Sequence, residues 1–125
     1  MFKPSKVFSG FSVNNLQEAK SFYENTLGLK TEESEMGTLN ITGPGDSHFM
    51  VYEKPNHTPA TYTVLNFLVA DIEESVKDLK NKGAKFESYD LPGIKTDEDN
   101  IARGNGPTIA WFTDPAGNIL SVIEE

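Results

Sequence analysis

With 125 residues, of which 37% are hydrophobic, 10% aromatic and 24% charged, the chain has the size of one globular domain with one continuous core, burying roughly two thirds of its unfolded surface. A formal net charge of -8 and a pI near 4.7 oppose the phosphate-neutralising surface that nucleic-acid binding needs, and no apolar run approaches the ~20 residues that cross a bilayer. The lack of cysteine excludes disulfides, thiolate zinc sites and cysteine nucleophiles, and the start Met1 to Lys6 lacks the apolar stretch of a signal peptide, so a cytoplasmic location is expected.

Residues 7–13 alternate as a strand, with Val7, Ser9, Phe11 and Val13 on one face and Phe8, Gly10 and Ser12 on the other. A helix follows, because Asn15 suits an N-cap, Glu18 completes a capping box three residues on, and Gly28 stands where a left-handed residue ends a helix. Leu16, Ala19, Phe22, Tyr23 and Leu27 recur at helical spacing and give it one face to lay on the strand. Three short strands are predicted next, at 29–33, 37–42 and 48–53, with Gly43-Pro44-Gly45-Asp46 as a type II turn between the last two. Segment 54–61, carrying Pro55, Asn56 and Pro59, reads as a linker.

The same order is then written again. Residues 64–69 form the strand, Asp71 the N-cap, Glu74 its capping-box partner, Ile72, Val76 and Leu79 the buried stripe, and Gly83 the stop. Strands are predicted at 84–89, 108–113 and 118–123, with a polar, turn-rich loop over 90–106. The last two strands are joined by Asp114-Pro115-Ala116-Gly117, a type I turn in which Asp114 opens, Pro115 presets the second position and Gly117 closes. Phe11 and Phe67, Val13 and Val69, Asn15 and Asp71, and Glu18 and Glu74 each lie 56 residues apart, which argues for an internal repeat. The chain is therefore read as one domain, 1–125, made of two βαβββ modules at 7–53 and 62–124.

Phe22-Tyr23, Leu27-Gly28-Leu29 and Asp114-Pro115-Ala116-Gly117-Asn118, set in this duplicated frame, resemble the vicinal oxygen chelate superfamily of glyoxalases, extradiol dioxygenases, fosfomycin-resistance enzymes and bleomycin-binding proteins. The resemblance runs from Val7 to Glu124. It implies an α+β fold in which the tandem modules form a curled mixed sheet around a cleft, and pairing of the chain as a homodimer. In metal-using members, the cleft centre takes a His, Glu or Gln from the first and last strands of each module. The matching positions here are Phe8, Val64, Met50 and Ser121, none of which suits a hard or borderline divalent ion. A register error of one residue would offer Ser9, Thr63, Val51 or Leu120, which is no better. No metal and no cofactor are expected, an unusual site built from His48, His57 or Glu53 being the remaining metal option.

On the cleft side that the resemblance implies, strand parity places Phe8, His48, Met50, Tyr52, Asn66 and Ser121, an apolar and aromatic wall with a few polar points. Trp111 either faces the cleft, where its ring can stack on a ligand, or is the large core residue of the penultimate strand. Phe8, Met50, Tyr52, Asn66, Trp111 and Ser121 are the expected ligand-binding set. Phe8, Met50 and Val64 are alternatively core residues that fill the cleft. His48 is a candidate general base or hydrogen-bond donor, against the simpler reading of a surface histidine beside a turn; His57 is the weaker of the two. Arg103, in the 90–106 loop expected to act as a lid, is a candidate clamp for a carboxylate or phosphate, or else balances Asp97, Glu98 and Asp99. No nucleophile motif, phosphate-binding loop or dinucleotide fingerprint is present, and Gly104-Asn105-Gly106-Pro107 reads as a turn. The expected function is metal-independent binding of a small molecule, without nucleic-acid or membrane partners. The alternative is a glyoxalase-type lyase, isomerase or dioxygenase with a divalent metal at an atypical site.

Overall fold

In the computed structural model, which describes residues 1–104 and 106–125, the first repeat folds where its apolar residues alternate. β1 (Ser9–Val13), α1 (Leu16–Ser21), β2 (Lys30–Glu33), β3 (Thr38–Thr42) and β4 (His48–Glu53) make up one unit, Met1–Thr58, with sheet order β1-β4-β3-β2. β1 runs parallel to β4, and β3 is antiparallel to both β4 and β2. One face of this mixed sheet carries Val13, Leu39, Ile41, Phe49 and Val51, all buried, against Ala19, Phe22 and Tyr23. The rings of Phe11 and Phe49 stack at 5.9 Å, and both meet Tyr23 edge-on, at 6.4 and 5.7 Å.

The helix starts as its sequence dictates, Asn15 Oδ1 accepting the Glu18 N–H at 3.0 Å. A second cap comes from the far end of the unit, where Glu53 Oε1 accepts the Leu16 N–H at 2.8 Å. Beyond Ser21 the helix widens into a π turn, Phe22–Thr26, in which the Leu27 N–H reaches Phe22 O at 3.1 Å. Periodicity does not announce this widening. Gly28, with φ of +69°, ends the helix in the left-handed conformation.

The second unit, Pro59–Glu125, repeats the plan with β5 (Thr63–Val69), α2 (Ile72–Asn81), β6 (Lys85–Phe86), β10 (Ile109–Thr113) and β11 (Ile119–Glu124), ordered β5-β11-β10-β6. Between β6 and β10 lie β7 (Asp90–Leu91), β8 (Ile94–Lys95) and β9 (Ile101–Ala102). Val13 pairs with Glu53 in the first unit and Val69 with Glu124 in the second, so the repeat extends to the register of the parallel ladder. The caps repeat too, Asp71 Oδ1 accepting the Glu74 N–H at 3.1 Å and Glu124 Oε2 the Ile72 N–H at 3.0 Å.

The closing turn follows its sequence signal, with Gly117 N–H bonded to Asp114 O at 3.0 Å. The Asp114 carboxylate is buried and accepts the N–H groups of Ala116 and Asn118 and the side-chain amide of Asn118, all within 3.0 Å. Gly117 has φ of +86°, and a Cβ there would sit 3.2 Å from Pro59 Cγ, so both backbone and space require glycine.

Four local expectations are corrected. The strand expected over 7–13 begins only at Ser9, which pairs with Phe49, so Val7 lies beyond the start of β4, and Phe8, level with His48, its first residue, is left unpaired at the end of the ladder. The turn before β4 is centred one residue later than predicted. Gly45 and Asp46 both have positive φ, +63° and +62°, and the Ser47 N–H bonds to Pro44 O at 3.2 Å, a type I′ pattern rather than type II. The strand expected over 84–89 is cut to Lys85–Phe86 because β9 pairs with Ile109 and Ala110 of β10, the edge on which residues 88 and 89 would have continued. The 90–106 segment is accordingly no open loop. It forms the β7–β8 hairpin around Pro92-Gly93, with Gly93 at φ of +87°, and then β9; Asn105 of the predicted turn lies outside the described residues. No helix among the described residues is long and apolar enough to cross a membrane.

Candidate functional site

Each sheet has a second face, opposite its helix, and the ladder registers lay out what stands on it. In the first unit Met50 lies between Asn40 on β3 and Gly10 on β1. The side chain of Met50 fills the space that glycine leaves, since a Cβ on Gly10 would lie 3.2 Å from Met50 Cε. His48 and Tyr52 flank Met50 at alternate positions of β4, and Phe8, outside the strand and half-exposed, sets its ring edge-on to His48 at 5.3 Å. Beside Tyr52 on the ladder, the Ser12 hydroxyl is 2.6 Å from His57 Nδ1.

The corresponding row of the second unit is Trp111 on β10, Ser121 on β11 and Asn66 on β5. Ser121 is fully buried and donates to Asn66 Oδ1 at 2.5 Å. Val64 does not join the row: the register steps from Thr63 to Leu65 against Ile119 and Leu120, and Val64 is the extra residue of the resulting bulge. Three of the six residues expected to bind ligand are thus adjacent in this unit, and Met50 and Tyr52 share a strand face in the other.

Beside Trp111 the second unit forms a half-open cavity of about 360 Å³. Its walls come from β10 (Ile109, Trp111), the β7–β8 hairpin (Leu91, Gly93, Ile94, Lys95), Ala102 of β9, and Arg103 and Pro107 beyond it. Tyr89 holds the indole in place with its ring perpendicular to it at 5.1 Å, and burial, with help from the Glu87 charge, pushes the Tyr89 hydroxyl above its ordinary pKa. Arg103 forms two ion pairs, Nε with Asp97 at 2.9 Å and Nη2 with Glu73 on α2 at 2.8 Å. Asp97 loses some hydration here, which raises its pKa. The N–H of Ile101, the Arg103 guanidinium and the N–H of Asp99 outweigh that loss and hold the carboxyl below the usual range. Arg103 is raised in turn, first by its bond to Asp97. The guanidinium thus fastens the cavity wall to α2.

Whether these residues suit a metal is a matter of donor chemistry. Met50 offers a soft thioether, Ser121 a hydroxyl already bonded to Asn66, and Phe8 and Val64 no donor at all. Among the described residues no three His, Asp or Glu side chains gather where an ion could be held. Glu53 bonds to the α1 N-terminus and His57 to Ser12, while His48 faces Phe8. The residues present do not fit a divalent ion in the manner of a glyoxalase.

The family model of the glyoxalase, bleomycin resistance protein and dioxygenase superfamily matches residues 8–122, nearly the whole of this duplicated frame. The chain belongs to that superfamily. Its fold is shared with a superfamily member from Sphaerobacter thermophilus, 24% identical, with a TM-score of 0.72 and 98% of each chain covered. TnmS3, an antibiotic binding protein from a Streptomyces species, is 18% identical with a TM-score of 0.72, covering 99% of this chain and 98% of that one. The fosfomycin resistance protein FosX from Mesorhizobium loti is 9% identical with a TM-score of 0.65, covering 99% of this chain and 94% of that one. None of the curated proteins compared matches the chain significantly.

Sequence reasoning on this glyoxalase-superfamily chain missed the hairpin residues Leu91, Ile94 and Lys95 as cavity walls. The signal was there, since a Pro-Gly pair between Leu91 and Ile94 is a turn between apolar residues. The Ser12–His57 contact spans 45 residues and had no local signal.

Proposed function

We propose that this glyoxalase-superfamily protein binds a small molecule without a metal ion. One observation carries the reading: where metal-using relatives place ligands on the last strand of each module, this chain has Met50, packed over Gly10, and Ser121, bonded to Asn66. The likeness to an antibiotic binding protein supports a binding role, and a cavity of about 360 Å³ lies within the ~300–1,000 Å³ range of small-molecule sites. Trp111, which lines that cavity, and Phe8, Met50, Tyr52, Asn66 and Ser121, which do not, are the proposed contact residues, with residues 7–53 and 62–124 as the two modules and 54–61 as their linker. Elemental analysis of protein purified without chelator tests the reading. The expected result is less than about 0.1 divalent ion per chain, unchanged thermal stability after EDTA, and stabilisation by an organic ligand from a screened panel. A stoichiometric ion whose removal lowers the melting temperature overturns it and favours a metal-dependent enzyme. Sedimentation velocity checks the homodimer that the family resemblance implies.

A further inference from the structure

We propose that Ser12 and His57 form a nucleophile–base pair that takes the acyl group of an activated ester, one whose alcohol is a phenol or an enol. This goes beyond the binding reading above and does not rest on it. Ser12 Oγ lies 2.6 Å from His57 Nδ1, within the ~2.6–3.2 Å reach of a base for the proton it abstracts. In the tautomer with its proton on Nε2, the imidazole accepts the serine hydroxyl at Nδ1, the direction that activates Oγ.

The contact is built from two sides of the first unit. Val13 is buried on the helix side of β1, so Ser12, one residue before it, points to the helix-free face. At the end of β4 the Lys54 N–H bonds to Val13 O at 3.0 Å, and the chain then turns through Pro55-Asn56, the His57 N–H closing on Lys54 O at 3.0 Å. That turn returns His57 to β1 beside Ser12. Both residues are half-buried, so the pair is held in place without being sealed from a small reagent. The substrate class follows from the carboxylate at hand. Glu53, the acidic residue of β4, caps α1 through Oε1, so β4 supplies no acid to steady an imidazolium as in a hydrolytic triad. An ester of a phenol or enol asks least of such a pair, because its leaving group departs as a weakly basic anion. Ser12 Oγ bonds to the acyl carbon as its proton passes to His57, the bond from that carbon to the phenol oxygen breaks, and the phenolate takes the proton back from His57. Water then adds to the acyl-serine by the same route, releasing the carboxylic acid and restoring the Ser12 hydroxyl.

The test treats the full chain with diisopropyl fluorophosphate and with p-nitrophenyl acetate. The expected result is a diisopropylphosphoryl group mapped to Ser12 by peptide mass, and a release of p-nitrophenol that this adduct blocks. Ser12→Ala should abolish both. His57→Gln, which can still bond to Ser12 but takes no proton, should slow both by at least ~100-fold with the fold intact by circular dichroism. Ser12→Cys gives a second readout, since the chain has no other thiol. Iodoacetamide should alkylate that thiol about tenfold faster than in the double variant Ser12→Cys, His57→Gln, because an adjacent imidazole draws off the thiol proton. An unlabelled Ser12, p-nitrophenol release unaffected by Ser12→Ala, labelling undiminished in folded His57→Gln, or equal alkylation of the two thiols overturns the proposal and leaves the contact as a tie between the turn and β1.

Discussion

The two units share a frame and differ on one face. In both, a parallel ladder between first and last strands ends with a valine opposite a glutamate, and that glutamate accepts the first N–H of the unit's helix. On the face opposite the helix the first unit has Asn40, Met50 and Gly10 in a row, whereas the second has Trp111, Ser121 and Asn66 and adds the β7–β8 hairpin over a cavity. The frame depends on backbone hydrogen bonds that any drift in the helix-free face leaves untouched. That face is free to change from a thioether over a glycine to an indole beside a cavity.

The largest effect expected from breaking this comparison is at the hairpin turns before β4 and β11. Asp114→Ala removes a buried carboxylate that accepts three N–H bonds and should cost about 3 kcal/mol in urea unfolding. Asp46→Ala in the first unit's exposed turn should cost about 1 kcal/mol, through its left-handed backbone alone. Equal costs would mean that the buried carboxylate contributes nothing that distinguishes the units.

Next come the caps, where the units should agree. Asn15→Ala and Asp71→Ala should each lower stability by about 1 kcal/mol, within ~0.5 of one another. A smaller step is Glu53→Gln and Glu124→Gln, which keep an acceptor but remove a charge from a helix N-terminus. Each should cost about 0.5 kcal/mol at low salt and less at high salt. If only one of the pair responds, the repeat does not extend to energetics.

The smallest effect belongs to the second unit alone. The Asp97 carboxyl should titrate below an ordinary aspartate by NMR and move back up in Arg103→Ala, with little change in the urea midpoint because the pair is exposed. Its folded pKa is depressed, so its contribution to stability is present above the unfolded value of about 3.9 and is lost as pH falls through the folded pKa. A Asp97 titration that ignores the substitution would remove Arg103 as a cause.

Local chemistry was legible in the chain. Asn15 and Asp71 bond to N–H groups three residues on, Gly28 is left-handed, and Asp114-Pro115-Ala116-Gly117 closes a turn through contacts within four residues. The repeat at a constant spacing implied two units with the same succession of elements, and their sheets do share one strand order. The candidate site was only partly legible. Strand alternation put Ser121 and Asn66 on the cleft side and left Trp111 open between cleft and core, and it also carried Phe8 into a strand that begins at Ser9.

The sequence by itself thus determined the duplicated order of elements, the Asn15 and Asp71 caps and the closing turn, which rest on patterns and bonds between near neighbours in the chain. Tertiary structure alone decided which strand holds the edge of β10, that Val64 is bulged out of register, that Arg103 is fastened to Glu73 across 30 residues, and that a cavity opens beside Trp111. Those outcomes are competitions between distant segments for the same backbone edge or the same charge, and no local pattern records which one wins.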